Sequence, residues 1–114
     1  MAPPVPPGWS PRRGEVYLIS LDKRRPAVIL STDVLNRHAL DICLVPLTQV
    51  QHREFTLRVP IRAKEGGLAV DSWAKCDQVT TVEKRRLVYP PLGRLSAQVL
   101  HEIENKVKMA VQLP

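Results

Sequence analysis

The spacing of apolar residues changes once along this chain, and that change predicts the order of its structural elements. Up to about residue 82, apolar residues form short runs rich in Val, Ile and Leu, which are typical of β-strands. From Val99 to Val111 they recur three and four residues apart, which predicts an amphipathic helix with Ser96 as its N-cap. We therefore expect a mainly β protein, a small antiparallel barrel of about five to seven strands closed by a C-terminal α-helix.

Polar turns and prolines set the limits of the predicted strands. Pro26 suits the first position of a strand, because proline has no N–H to donate to a ladder. Thr32 and Asp33 predict the cap of one helical turn that reaches His38. The predicted β regions are Glu15–Leu21, Ala27–Leu30, Asp41–Thr48, Phe55–Ile61 and 68–82, with a break near Asp71-Ser72 and an end at Tyr89-Pro90-Pro91.

The N-terminal residues differ from the rest in composition. Five of residues 1–11 are prolines, which favour an extended backbone without helix or ladder hydrogen bonds. We interpret residues 1–11 as a flexible leader, with Trp9 as its point of attachment, and residues 12–114 as a single domain.

The charge balance indicates the class of partner. There are 17 Lys and Arg residues against 11 Asp and Glu residues, a net charge of +6, which attracts polyanions such as RNA or DNA. An anionic membrane surface is the lesser alternative, and a charge of this size also serves solubility alone. The chain shows no signal peptide, no membrane-spanning run and no cysteine framework, which predicts a cytoplasmic protein without a membrane partner.

Two polar side chains stand at the ends of predicted core strands. Arg25 precedes Pro26, and its guanidinium is a fork of donors matched to phosphate oxygens. Thr48 ends the strand that begins at Asp41, and its hydroxyl can donate to a developing oxyanion. If the fold brings the two together, they form a site for a phosphate diester; otherwise they are a surface arginine and a turn residue.

Lys75 and Asp77 form a second candidate pair. Residues two apart in a strand share a face, so a cation and a base would lie side by side there, unless they are merely an exposed ion pair. His38 is a candidate base near the first pair, and the alternative is an exposed polar residue at the end of a helix. The histidines have no ligand spacing with each other or with Cys43 and Cys76, so we predict no metal and no cofactor. Interleaved aromatics are few and are Tyr17, Phe55, Trp73 and Tyr89.

Four short motifs occur in the order found in the MazF/PemK/Kid toxins, and the chain resembles that family from about Arg13 to its C-terminal helix. The motifs are Arg13-Gly14-Glu15-Val16-Tyr17, Arg25-Pro26-Ala27-Val28-Ile29-Leu30-Ser31, Val45-Pro46-Leu47-Thr48 and Cys76-Asp77-Gln78-Val79. The resemblance implies a homodimeric SH3-like barrel that acts as the toxin of a type II toxin–antitoxin pair. It also implies a sequence-specific, metal-independent endoribonuclease, neutralised by an acidic, partly disordered MazE-like antitoxin.

The resemblance also assigns roles to individual residues. It implies that Arg25, Thr48 and Asp77 are catalytic, and Lys75 stands where one branch of the family has arginine. Only Asp22 to Arg24 separate the first two strands, so the loop before Arg25 is shorter than is usual in the family. The residues expected to bind RNA are Lys23, Arg24, Ser31, His38, Lys75, Gln78 and Arg86.

The expected reaction is cleavage of single-stranded RNA by attack of the ribose 2′-hydroxyl on its own phosphate. The resemblance implies a 2′,3′-cyclic phosphate and a 5′-hydroxyl as products. Two alternatives stay open: a gyrase-poisoning toxin built on the same barrel, and a nucleic-acid-binding barrel without catalytic activity.

Overall fold

The computed structural model describes residues 5–50 and 57–113, which form seven strands and two α-helices in the order expected from the sequence. Short 3-10 turns occur at Glu65–Gly67 and Lys84–Arg86. No helix in these described ranges is both long and apolar enough to cross a membrane. The elements are β1 (Glu15–Ser20), β2 (Arg24–Ile29), α1 (Asp33–His38), β3 (Asp41–Thr48), β4 (Arg58–Ile61), β5 (Ser72–Lys75), β6 (Thr80–Glu83), β7 (Leu87–Arg94) and α2 (Ala97–Ala110).

The strand β3 has hydrogen-bonded partners along both of its edges. The antiparallel order is β4-β5-β3-β2-β1-β7, and β6 also pairs with β3. β2 lies along one edge, with Ala27 opposite Pro46. Along the other edge, β6 pairs with the first half of β3 and β5 pairs with its end, so β3 changes partners partway along its length.

The alternation of side chains along β3 divides the buried residues into two clusters. Ile42 and Leu44 point into the smaller cluster, whereas Val45 and Leu47 point into the larger one. The helix α2 covers the larger cluster through Ile103, which is 0% exposed. Burial of one such side chain contributes about 1.5–3 kcal/mol, so α2 is an integral part of the domain.

The expected mainly β fold with a C-terminal helix is confirmed, and both predicted helix caps are present. The Ser96 hydroxyl accepts a hydrogen bond from the Val99 N–H at 3.3 Å at the start of α2. The Thr32 hydroxyl accepts from the Leu35 N–H at 3.3 Å at the start of α1. Each cap satisfies a backbone donor that has no partner within its helix.

The break predicted near Asp71-Ser72 was wrong, because Ser72 begins β5 and the interruption falls at residues 76–79. There the Gln78 N–H donates to the Lys75 carbonyl at 2.9 Å and closes a turn. The physical reason is the change of partner along β3: the chain must leave the β5 ladder before it joins the β6 ladder.

Two further boundaries differ from the prediction. β7 continues through Pro90 and Pro91 to Arg94, because its register with β1 shifts there and the strand lies at the edge of the sheet. β4 begins at Arg58, and the predicted strand residues Phe55 and Thr56 lie outside the described residues.

The N-terminal segment contacts the sheet as far back as Trp9. The indole N–H of Trp9 donates to the Tyr17 hydroxyl at 3.3 Å, and its ring meets Tyr17 and Tyr89 edge-on with centroids 6.0 Å apart. Pro11 is buried. Trp9 therefore attaches the segment as expected, while the boundary between leader and domain at residues 11 and 12 stays a prediction.

Arg13 joins the first strand region to α2. Its Nε donates to the Leu30 carbonyl at 2.9 Å, and its guanidinium forms an ion pair with Glu104. Its backbone N–H donates to the Asp33 carboxylate at 2.7 Å. This part of the Arg13–Tyr17 motif thus has a structural role.

A substitution at Gly93 tests how closely β7 approaches the Glu65–Gly67 turn. A Cβ at Gly93 would lie 2.6 Å from the Gly66 carbonyl carbon and 2.7 Å from the Gly67 nitrogen, so the two backbones would have to separate. We expect Gly93→Ala to lower the free energy of unfolding in urea by about 1–3 kcal/mol. Gln98→Ala, at an exposed position of α2, is the control and should leave the free energy of unfolding nearly unchanged. Equal losses in both variants would contradict this explanation.

The two cysteines are expected to differ in reactivity. Cys76 is buried, and burial, with a further contribution from Asp77, raises the pKa of its thiol to about 11. Cys43 is only partly buried. At pH 8 a thiol reagent should label Cys43 in the folded protein and Cys76 only on unfolding, because the thiolate is the reactive form. Cys43→Ala should remove the fast phase, and equal labelling rates for both thiols would disprove the prediction.

Candidate active site

The pairing of β2 with β3 places Arg25 and Thr48 side by side. Ala27 lies opposite Pro46, so the same register extended by two residues sets Arg25 opposite Thr48. A step of two residues keeps the same face of a strand, and both side chains therefore stand on one face of the sheet. A cleft of about 290 Å³ opens there, lined by Lys23, Arg24, Arg25, Pro26, Leu47, Thr48, Gln49 and Val50.

The composition of this cleft suits an anion. Its lining includes the three cations Lys23, Arg24 and Arg25, and it includes no acidic residue within the described ranges. Arg25 is exposed and Thr48 is half-buried. The Thr48 hydroxyl accepts from the Val50 N–H at 3.1 Å, and an accepted bond leaves its own proton available to donate to a ligand.

A tight hairpin carries the cations of the cleft. Ser20 pairs with Arg24, which leaves Leu21, Asp22 and Lys23 as the turn between β1 and β2. Leu21, Asp22, Lys23 and Arg25 line a neighbouring cleft of about 250 Å³. The short loop inferred from the sequence is therefore an ordered turn beside Arg25, with one carboxylate in it.

Asp77 lies on the other side of β3 from Arg25. It is exposed in the turn at residues 76–79, next to Gln78, and it does not line the cleft that holds Arg25 and Thr48. β5 ends at Lys75, so the expectation that Lys75 and Asp77 share a strand face was wrong. The rule that residues two apart share a face ends at the turn, because the chain leaves the ladder there.

Trp73 lies directly beside Thr48, which the sequence did not reveal. The two are Cα partners in the β3–β5 ladder, so the half-buried indole shares the face that carries Thr48 and Arg25. Lys75 follows two residues later on the same face. The only sequence signal was an aromatic residue among the basic ones, because its position opposite Thr48 depends on a pairing between residues far apart in the chain.

Arg58 on β4 extends this face, and sequence reasoning did not select it either. Arg58 is the Cα partner of Lys75, and Pro60 is the partner of Trp73. The neighbouring residues Val59 and Ile61 point into the larger cluster, so Arg58 points to the opposite side.

Ser31 and His38 lie at the opposite end of β2 from Arg25. The Ser31 hydroxyl hydrogen-bonds the buried Asn36 side chain and accepts from the Cys43 N–H at 3.1 Å, which is a structural role. His38 is the exposed last residue of α1. The structure therefore does not bring these two predicted RNA-binding residues to the cleft.

Arg86 lies nearer than Ser31 and His38 to the hairpin between β1 and β2. It lines a cleft of about 300 Å³ together with Leu21, which also lines the cleft beside Arg25. The adjacent Arg85 donates to Glu83 at 2.9 Å, and this bond lowers the pKa of the Glu83 carboxyl. In the described part of the chain, no group of three or more His, Cys, Asp or Glu residues could hold a metal ion.

Known proteins share both the sequence pattern and this fold. A family model described as a PemK-like, MazF-like toxin of a type II toxin–antitoxin system matches residues 12–111. Endoribonuclease MazF9 of Mycobacterium tuberculosis is 31% identical over 115 residues, which cover 90% of this chain and 97% of MazF9.

Solved structures agree with the sequence match. An endoribonuclease from a mycobacterial species has a TM-score of 0.79 at 27% identity, over 92% of this chain and 94% of that one. A mycobacterial endoribonuclease in complex with its cognate antitoxin has a TM-score of 0.78 at 25% identity, over 92% and 96%. With a family model spanning nearly all of its folded part, and relatives that are endoribonucleases, the chain belongs to the PemK-like, MazF-like toxins of type II toxin–antitoxin systems.

Proposed function

We propose that this toxin is a sequence-specific endoribonuclease that cleaves single-stranded RNA at the Arg25–Thr48 cleft. The observation that carries the proposal is the register of β2 and β3, which sets a guanidinium and a hydroxyl on one face beside two further cations. The endoribonucleases among its relatives support the same activity.

The proposed reaction uses the substrate's own nucleophile. The ribose 2′-oxygen attacks the adjacent phosphorus and loses its proton, while the bond from phosphorus to the 5′-oxygen breaks. That oxygen takes up a proton from solvent water, so the products are a 2′,3′-cyclic phosphate and a 5′-hydroxyl. Arg25 stabilises the charge on the pentacovalent phosphate, and Thr48 donates a hydrogen bond to one of its oxygens. No metal is needed as a source of nucleophile.

Asp77 is the proposed acceptor of the 2′-hydroxyl proton. An RNA strand that lies across β3 would pass from Arg25 towards the turn at residues 76–79, where the carboxylate is exposed. Asp22 is the competing carboxylate, because it lines a cleft together with Arg25. Arg25 is unsuited to accept the proton, since guanidinium groups stay protonated in proteins.

The proposed partners follow from the charge of the cleft. An acidic, MazE-like antitoxin would compete with RNA for Lys23, Arg24 and Arg25, and a related toxin has been solved with its cognate antitoxin. We also propose that the protein works as a homodimer in the cytoplasm, where its messenger RNA substrate is found.

Substitution of Arg25 tests the catalytic assignment. Arg25→Ala should lower kcat/KM on a single-stranded RNA by about 100-fold or more, the loss typical when one donor to a developing oxyanion is removed. The kcat/KM of Arg25→Lys should lie between those of the wild type and Arg25→Ala, because lysine keeps the charge and loses the bidentate fork. The measurement is the formation of cyclic-phosphate ends, in EDTA, on a defined oligonucleotide.

Arg37→Ala is the matched control for this substitution. Arg37 is exposed on α1, away from the Arg25 end of β2, so its removal changes the net charge equally and should leave cleavage intact. Undiminished cleavage by Arg25→Ala would overturn the assignment. A wild-type protein that cuts no single-stranded RNA would overturn the proposed activity itself and favour one of the non-nuclease alternatives.

Substitution of Trp73 tests whether an RNA base stacks on its indole beside Thr48. Stacking on an aromatic ring contributes about 1–3 kcal/mol per base. Trp73→Ala should therefore weaken the binding of a non-cleavable 2′-O-methyl oligonucleotide by roughly 5- to 150-fold, whereas Trp73→Phe should retain most of the affinity. Fluorescence anisotropy of the labelled oligonucleotide gives the affinities, and unchanged binding in Trp73→Ala would contradict a stacking role.

A further inference from the structure

Arg58 stands in an unfavourable electrostatic position. Its Nε and Nη1 atoms are buried and have no hydrogen-bond partner within the described ranges. Its cross-strand partner is Lys75, another cation. Buried donors of a charged group that lack a hydrogen-bond partner destabilise a fold, and like charges directly opposite each other in a sheet add to that cost.

Arg58 forms no ion pair with any of the described residues. Their ion pairs are Arg13 with Glu104, Arg85 with Glu83 and His101 with Glu104. Arginine cannot escape the cost by losing its proton. Two cations therefore lie side by side, without a carboxylate paired to them among the described residues, on the face that carries Trp73 and Thr48.

From this arrangement we propose that Arg58, together with Lys75, binds a second phosphate of the RNA, distinct from the one that is cleaved. Nη2 is the guanidinium nitrogen outside the buried pair and can donate a charge-assisted hydrogen bond to a phosphate oxygen, while the ammonium of Lys75 adds a second positive charge. The inference rests on the proposed ribonuclease function and adds to it a subsite that positions the substrate.

Strand spacing separates this subsite from the cleft at Arg25. β4 lies three strand intervals from β2, which is roughly 14 Å along the sheet at about 4.8 Å per interval. That separation is larger than one phosphate group, so the two arginines engage different phosphates. Trp73 lies between them on β5, where it can stack a base of the same strand.

A role in positioning predicts a change in binding rather than in the chemical step. Arg58→Gln should raise KM, and the Kd of a non-cleavable 2′-O-methyl oligonucleotide, by about 10-fold or more, because charge-assisted bonds to one phosphate are lost. The kcat should stay near the wild-type value. The slope of log affinity against log salt should fall by about 0.7, the change for one phosphate contact on a single strand.

Neutral linkages identify the phosphate concerned. Methylphosphonates placed one at a time in the oligonucleotide should reveal a position, other than the scissile one, that weakens binding to the wild-type protein. In Arg58→Gln that same replacement should have no further effect. Arg37→Gln is the matched control, since it removes one exposed positive charge from α1 and should alter none of these values.

Other outcomes are distinguishable. If wild-type protein cleaves RNA but Arg58→Gln keeps the wild-type KM and salt slope, the subsite is disproved and the ribonuclease function stands. If the wild type neither binds nor cleaves RNA, both the subsite and the proposed ribonuclease function are disproved. If Arg58→Gln lowers the free energy of unfolding in urea while RNA binding is unchanged, Arg58 has a structural role and the proposal is wrong.

Discussion

The pairing of β3 along both edges is the constraint on which the rest of the structure depends. One edge holds β2 and therefore Arg25; the other holds β5 and β6, and with them Trp73, Lys75 and the turn that carries Asp77. A slip of one residue in the β2–β3 register would turn Arg25 to the opposite face from Thr48. The buried side chains of β2 oppose such a slip, because it would turn Val28 away from the larger cluster and Ile29 away from the smaller one.

The sequence was informative where local chemistry decides the structure. The strand and helix periods, the Ser96 cap and the placement of Arg25 and Thr48 at the ends of strands all follow from nearby residues. The break at residues 76–79 and the positions of Trp73 and Arg58 follow from pairings between distant segments, which no local pattern encodes. Ser31 was predicted as a site residue because of its motif, yet its hydroxyl forms a hydrogen bond with the side chain of the buried Asn36.

Two partly buried arginines show how contacts separate a structural role from a binding role. Arg13 has its donors satisfied by Leu30 and Glu104, and it fastens the start of the domain to α2. Arg58 has buried donors without partners in the described part of the chain, beside a second cation. The charge of the two residues is the same, and only the surrounding acceptors distinguish them.

The hairpin at Leu21–Lys23 has a consequence for kinetics. Ordering a flexible loop costs about 1–2 kcal/mol of backbone conformational entropy per residue, and a long gating loop would incur that cost each time a ligand bound. Here Ser20 and Arg24 already pair across a turn of three residues, so folding has fixed the backbone that carries the cations before any ligand arrives. Association at this hairpin therefore incurs no cost of ordering its backbone, and its rate is governed by diffusional encounter and electrostatic steering.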